Sequence, residues 1–109
     1  MKYTIFLTDK AFEDLDYLTS YIAYDLLSPE TAKNIYQMIL QRIEGLSESP
    51  LIHPKIDIAK FKPFGIRKMI LKQYRVFYLT QSKPPQITVI RILHQLQDQS
   101  SALSEVFYV

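Results

Sequence analysis

The 109-residue sequence contains no cysteine, only two glycines and only two histidines. Without cysteine, a disulfide framework, a thiolate metal site and a cysteine nucleophile are excluded. Two glycines, Gly45 and Gly65, are too few for a glycine-rich phosphate loop, and no nucleophile-elbow motif occurs. His53 and His94 lie far apart in the sequence, so we expect neither a metal site nor a cofactor.

Long apolar runs are missing as well. The N-terminal run is about five residues long, too short for a signal peptide. No stretch approaches the roughly 18 apolar residues of a membrane span. We therefore expect a cytoplasmic protein without a membrane partner. At this length we expect one domain over residues 1–109, with its core over about 3–98.

The net charge of +2 is divided unevenly along the chain. Residues 1–50 hold four basic and eight acidic side chains, whereas residues 51–109 hold nine basic and three acidic ones. Such asymmetry is typical of a face that attracts a polyanion or an acidic protein, although lysines that only solvate one side produce the same pattern. With three acids in the second half, two-metal phosphoryl chemistry is not expected.

Residues 65–94 form the stretch around which we expect the chain to be organised. Ile, Val, Leu, Phe and Tyr are concentrated there in three runs bounded by turn residues, as is typical of mostly buried strands. Short connections predict that consecutive strands are antiparallel neighbours. The predicted strands cover 66–71, 74–80 and 87–93, with a loop at 81–86 and an earlier strand at 3–7.

Two amphipathic helices are predicted between the first strand and residue 47. Asp9 is the predicted N-cap of the first helix, and Ser28, before Pro29, that of the second. Apolar residues recur at three- and four-residue spacing, which predicts one buried stripe per helix, with a tyrosine stripe at the edge of the core. The buried stripe of the first helix consists of Ala11, Leu15, Leu18, Ile22 and Leu26, and the tyrosine stripe beside it of Tyr17, Tyr21 and Tyr24. The buried stripe of the second helix consists of Ala32, Ile35, Ile39, Ile43 and Leu46.

The order of elements predicts an α+β domain: an N-terminal strand and an antiparallel helical hairpin packed on a mainly antiparallel sheet of about four strands. Residues 47–63 are predicted to be irregular, with 56–58 as a candidate short strand. The tail at 99–109 is expected to be either a short helix or an arm.

The candidate site is a set of polar side chains on or beside the sheet: Lys68, Arg75, Tyr78, Arg91 and His94. Such cations stabilise charge on phosphorus while His or Tyr moves protons, so the set suffices for metal-free cleavage of RNA through its 2′-hydroxyl. It would also serve for docking onto nucleic acid or an acidic protein. A structural role is the alternative, with arginine stems along the sheet rim and a core tyrosine. Because strand residues alternate between the two faces, we expect His94 on the other face of the sheet from Arg91 unless a bulge intervenes.

Three stretches resemble the RelE/ParE superfamily of bacterial toxin–antitoxin toxins. DLDYLTSYI (14–22) is similar to its first helix, GIRKMILKQYRVFYL (65–79) to its central hairpin, and ITVIRILHQLQD (87–98) to its last strand. The resemblance implies a RelE/ParE-like fold and a growth-inhibiting toxin, as in plasmid stabilization systems. It also implies a cognate antitoxin as partner, with operator DNA bound only through that antitoxin.

The resemblance implies one of two activities. RelE-like toxins are endoribonucleases that cleave mRNA on the ribosome, and ParE-like toxins inhibit DNA gyrase without being nucleases. For cleavage, Lys68 and Arg75 would stabilise charge, and His94 and Tyr108 would transfer protons. Ile66 and Gln95 stand where RelE-like enzymes are expected to carry further basic residues.

Four other cations are expected to contact the target, which is either the ribosome with its mRNA or gyrase. They are Lys60, Lys62, Arg67 and Arg91. Arg67 and the ending from Arg91 to His94 look more like the ParE-like branch. The alternative from another class is a non-toxic, degenerate module that only binds its antitoxin.

Overall fold

A computed structural model describes residues 2–107 as one four-stranded sheet with helices on both faces. The secondary structure elements follow the predicted order, and the C-terminal segment is a helix rather than an extended arm. Their bounds are β1 Thr4–Leu7, α1 Asp9–Ser20, a π-helical turn Tyr21–Asp25, α2 Pro29–Gly45, a 3₁₀ turn Ala59–Phe64, β2 Arg67–Leu71, β3 Tyr74–Ser82, β4 Pro85–His94 and α3 Gln99–Phe107.

The sheet has the strand order β1-β4-β3-β2 and is mixed. β1 runs parallel to β4, whereas the β2–β3 and β3–β4 pairs are antiparallel, which confirms the prediction of a mainly antiparallel sheet. β3 and β4 extend to Ser82 and from Pro85, so the predicted loop at 81–86 shrinks to a tight turn. A proline is tolerated there because it occupies the first position of its strand.

Two apolar clusters lie on opposite faces of the sheet. α1 and α2 pack on the face that carries Val76 and Tyr78, which confirms the packing of the helical hairpin. The 3₁₀ turn and α3 pack on the other face, over Phe77 and Leu93. Because neighbouring strand residues point to opposite faces, the predicted burial of both faces follows from the unbroken apolar runs.

The predicted N-cap is wrong for the first helix and confirmed in position for the second. The N-cap of α1 is Thr8, whose hydroxyl accepts the Ala11 N–H at 3.1 Å, and Asp9 lies in the first turn, where its charge suits the helix dipole. Ser28 does occupy the N-cap position of α2, but its hydroxyl donates to Thr31 Oγ1 at 2.9 Å instead of accepting a backbone N–H.

The candidate strand at 56–58 does not form. An isolated bridge between Lys55 and Arg67 attaches this part of the chain to the start of β2, with the Ile56 N–H donating to the Ile66 carbonyl at 2.8 Å and the Lys68 N–H to the Pro54 carbonyl at 3.1 Å.

The buried stripe predicted for the first helix is wrong at its C-terminal end. The α-helix stops at Ser20, and in the following π turn the Leu26 N–H donates to the Tyr21 carbonyl five residues back, at 3.1 Å. The wider turn rotates later side chains away from the sheet, and Leu26 is 56% exposed. Tyr17 and Tyr24 are exposed rather than at the core edge.

A buried ion pair holds α1 against the part of β4 that β1 does not reach. β1 ends at Leu7, so the edge of β4 beyond Val89 has no strand partner. The Asp14 carboxylate accepts the backbone N–H of Ile92 at 3.0 Å and two N–H bonds of Arg91, each at 2.7 Å. A side chain of α1 thus replaces the missing strand.

The same arginine ties α3 to the sheet. Arg91 Nη1 donates to the Ala102 carbonyl and to Glu105 Oε2, both at 2.7 Å. Burial alone lowers the pKa of Arg91, but its bonds to Asp14 and Glu105 outweigh that effect and raise the pKa. Its bond to Glu105 in turn lowers the pKa of that carboxyl group. Arg91 therefore remains charged and joins three elements of the fold.

We expect Asp14→Asn to lower the free energy of unfolding by about 3–5 kcal/mol, because it removes the buried counterion of Arg91 and leaves only the exposed Glu105 carboxylate to balance that charge. Asp16→Asn, an exposed carboxylate on the same helix, is the matched control and should change the value by less than about 0.5 kcal/mol. Urea unfolding of the purified chains measures both.

A double variant, Asp14→Leu with Arg91→Met, should lose less stability than the sum of its single variants, because removing both charges leaves neither uncompensated. Additive losses, or an Asp14→Asn chain as stable as the control, would show that the ion pair does not hold these elements together.

Candidate functional site

Two of the predicted catalytic residues lie together on the β2–β3 hairpin. Lys68 stands opposite Phe77 and Ile70 stands opposite Arg75, so Lys68, Ile70 and Arg75 share one face of the sheet. Lys68 and Arg75 are diagonal neighbours on the two paired strands, and residues in such positions are about 7–8 Å apart. We call these three residues the basic hairpin face.

Hydrogen bonds to its own hairpin orient the Arg75 side chain. Nη1 donates to the carbonyls of Lys72 at 2.8 Å and Tyr74 at 3.0 Å, and Nη2 lies 3.5 Å from Gln95 Oε1. Within residues 2–107, Lys68, Lys72 and Arg75 form no ion pair with a carboxylate. Their positive charges are therefore not neutralised inside the described part of the fold.

His94 lies on the opposite face from the basic hairpin face. Its cross-strand partner is Tyr74, with the ring centroids 5.8 Å apart in an edge-to-face arrangement, and Tyr74 belongs to the cluster under α1 and α2. The only register shift in β3–β4 falls between Phe77 and Tyr78, so no bulge lies between Arg91 and His94, which occupy opposite faces as expected.

The predicted catalytic set is therefore divided. Lys68 and Arg75 come together, His94 is separated from them by the thickness of the sheet, and Tyr108 lies outside the described residues. Burial raises the pKa of Tyr74, so its hydroxyl stays protonated at neutral pH and does not act as a base beside His94.

An apolar groove with a volume of about 560 Å³ opens beside His94. Tyr21 and Leu96 line it and are 49% and 86% exposed. Its lining comes from the end of α1, the π turn, the start of α2 and the ends of β3 and β4: Tyr17, Leu18, Tyr21, Ile22, Leu26, Thr31, Ile35, Gln73, Tyr74, His94, Leu96 and Gln97. We call this the tyrosine groove.

Sequence reasoning missed this groove because it assigned the tyrosines to the edge of the core. The available signal was the segment 21–27, YIAYDLL, in which large apolar and aromatic side chains are too many and too closely spaced for all of them to face the sheet. An amphipathic helix whose last turn has little to pack against leaves that turn exposed.

Arg67 and Tyr78 fix the irregular segment that precedes the hairpin. Arg67 Nη1 donates to the carbonyls of His53 at 2.7 Å and Leu51 at 3.3 Å, while its buried Nε has no hydrogen-bond partner. Tyr78 donates to the Pro50 carbonyl at 3.0 Å. Burial raises the pKa of Tyr78, although the Arg67 charge acts in the opposite direction. The core role considered for Tyr78 fits these contacts.

The other predicted target-binding cations have different surroundings. Lys62 pairs with Asp57 at 2.9 Å, and Lys60 donates to Ser104 Oγ at 3.0 Å. Arg91 is only 4% exposed, so the expectation that it contacts a target is corrected here to a structural role. Target binding by Lys60, Lys62 and Arg67 stays a prediction.

Metal-binding groups and membrane-spanning helices are absent from the described residues. Across residues 2–107, no three His, Asp or Glu side chains are grouped so that they could hold a metal ion. No helix in that range is both long enough and apolar enough to cross a membrane.

The fold is similar to several solved toxin structures. The chromosomal ParDE toxin–antitoxin system of P. aeruginosa matches with a TM-score of 0.69 at 21% identity, covering 85% of this chain and 96% of that chain. The RelBE2 toxin–antitoxin complex of Mycobacterium tuberculosis matches with a TM-score of 0.66 at 20% identity, covering 89% and 95%. Isolated E. coli RelE toxin matches with a TM-score of 0.61 at 14% identity, covering 98% and 99%. At these identities the comparison establishes a shared fold.

Sequence comparison establishes the family. No curated protein matches the chain. The family model described as ParE toxin of type II toxin-antitoxin system, parDE, matches residues 5–99, which is most of the sequence. The match includes the helical hairpin, all of the sheet except Thr4, and the Asp14–Arg91 pair. The chain therefore belongs to the ParE toxin family of type II toxin–antitoxin systems.

Proposed function

We propose that this chain inhibits growth by binding DNA gyrase, and that it does not cleave RNA. The observation that carries the proposal is the match of residues 5–99 to the ParE family model, since the ParE-like branch of the superfamily acts on gyrase.

The geometry supports a binding role over a nuclease role. Metal-free RNA cleavage needs a group that moves protons within hydrogen-bond reach of the charge-stabilising cations. Lys68 and Arg75 have no such neighbour from the described strands, because β2, β3 and β4 contribute no histidine, tyrosine or carboxylate to that face. Ile66 is buried in the core, and Gln95 contacts Arg75 without supplying a positive charge.

Expression of the chain without an antitoxin should stop DNA synthesis while protein synthesis continues, because gyrase inhibition blocks replication first. Pulse labelling of both processes measures this, and the purified chain should inhibit gyrase supercoiling. Collapse of protein synthesis, with mRNA cut inside codons, would instead establish the ribonuclease. A chain without effect on growth would leave only the antitoxin-binding module.

Removing the predicted proton-transfer groups should leave toxicity unchanged. His94 Nδ1 accepts the Leu96 N–H at 3.1 Å, and His94→Asn keeps a hydrogen-bond acceptor in the side chain at this position. The substitution can be combined with Tyr108→Phe. A nuclease that relies on these groups would lose about 10²–10⁴-fold in rate. Growth curves after induction, at matched protein levels, distinguish the two results, and a comparable loss of toxicity would contradict the gyrase proposal.

We further propose that a cognate antitoxin neutralises this toxin by covering the tyrosine groove. The groove combines exposed Tyr17 and Tyr21 with exposed Leu96, an apolar surface that suits the apolar stripe of an amphipathic helix or the side chains of an extended segment. Two of the structurally similar proteins are toxin–antitoxin systems, which supports a partner of this kind.

Tyr21→Ser should weaken binding of the co-expressed antitoxin by about tenfold or more, because interface tyrosines commonly contribute over 1 kcal/mol. Phe12→Ser is the matched control, since Phe12 on α1 is 47% exposed, close to the 49% of Tyr21, but does not line the groove. Isothermal titration calorimetry measures both affinities. Equal affinities of the two variants would place the antitoxin elsewhere.

A further inference from the structure

We propose that the basic hairpin face is the surface through which the toxin docks on an acidic segment of its target protein. This inference rests on the proposed function in one respect, namely that the target is a protein. It assigns the contact to Lys68, Ile70 and Arg75, which lie side by side on β2 and β3.

The charge distribution selects an acidic partner. Lys68, Arg75 and the neighbouring turn residue Lys72 have no carboxylate partner within residues 2–107. In contrast, the first 50 residues, which include α1 and α2, carry a net charge of −4. An acidic surface is therefore attracted to the hairpin and repelled from the helices, which orients the encounter.

An exposed apolar residue lies at the centre of these cations. Ile70 is 57% exposed although it belongs to a strand, and it stands directly opposite Arg75. On the same face, the neighbouring Phe77 and Leu93 are fully buried in the cluster formed with the 3₁₀ turn and α3. An apolar centre with a charged rim is the usual organisation of a protein–protein contact.

The Arg75 guanidinium is oriented before a partner arrives. Its bonds to the Lys72 and Tyr74 carbonyls hold the side chain along the turn. Ordering a flexible side chain in an interface costs about 0.5–1.5 kcal/mol, so this arrangement reduces the cost of binding.

A protein segment fits this surface better than a nucleic acid does. Proteins that bind single strands stack bases on exposed aromatic rings. The aromatic residue that β2 and β3 place on this face is Phe77, which is fully buried. Ile70 contributes an apolar contact that a phosphate backbone does not use, so substitution of Ile70 separates the two classes of ligand.

The test compares two variants of the surface with a control elsewhere. Lys68→Glu reverses one charge of the face, and Ile70→Ser removes its apolar centre. Lys83→Glu changes the net charge equally, at an exposed site in the β3–β4 turn. The readouts are growth inhibition after induction and inhibition of supercoiling by purified gyrase, with thermal unfolding as the check of folding.

We expect Lys68→Glu and Ile70→Ser each to weaken both inhibitions by about tenfold or more, as for central interface residues. Lys83→Glu should change them by less than about threefold, as for a charge outside the contact. If Lys68→Glu unfolds at a lower temperature than the wild type, Lys68→Gln replaces it.

Each other outcome decides the gyrase target, the docking surface or both. If the variants lose growth inhibition but the wild type does not inhibit gyrase, the gyrase target is refuted and the proposed docking surface is retained for another target protein. Full activity of both variants would refute the surface alone. A third outcome is that Lys68→Glu weakens growth inhibition, Ile70→Ser does not, and the Lys68→Glu chain also binds an RNA of about 20 nucleotides more weakly than the wild type. That outcome would mark a nucleic-acid site and overturn this proposal. A harmless wild-type chain would overturn both.

Discussion

The buried pair of Asp14 and Arg91 is the interaction on which the arrangement of this fold depends. β1 covers β4 only as far as Val89, and beyond that point a carboxylate from α1 takes the place of a neighbouring strand. Since Arg91 also bonds to the Ala102 carbonyl and Glu105, one guanidinium fixes a helix on each side of the sheet. Burying two charges is costly in itself, so the geometry has to supply nearly complete hydrogen bonding.

This arrangement makes the sheet a partition between two surfaces of different chemistry. One side, closed by the acidic helical hairpin, ends in the apolar tyrosine groove beside His94. The other side, closed by α3 and the 3₁₀ turn, leaves Ile70 exposed between the half-buried Lys68 and Arg75 at the hairpin. The two proposals place the antitoxin and the target on separate surfaces, and neutralisation would then act by steric exclusion or by a change of the fold rather than by competition for one site.

Arginines of similar sequence context have different roles in this fold. Arg75 and Arg91 both interrupt apolar strands and both face away from α1 and α2 in the strand register. Arg91 lies in β4 where α1 and α3 supply carboxylates, whereas Arg75 lies beside the β2–β3 turn, where its hydrogen-bond partners among residues 2–107 are carbonyls and an amide. The partners are distant in sequence, which is why inspection of the strands alone grouped Arg91 with the target-binding residues.

The sequence by itself determined the order of the elements, the helical hairpin, the antiparallel β2–β3–β4 meander and membership of the RelE/ParE superfamily, because periodicity, turn residues and local motifs are short-range properties. It also predicted that Arg91 and His94 occupy opposite faces. Only the tertiary structure decided that Thr8 caps α1, that the tyrosines are exposed, that Asp14 pairs with Arg91 and that Lys68 is separated from His94. The Asp14–Arg91 pair and the separation of Lys68 from His94 depend on which residues meet across the sheet, and such long-range contacts leave no fixed spacing in the sequence. The Thr8 cap is a local contact, but Thr8 and Asp9 are adjacent and both suit an N-cap, so the sequence does not choose between them.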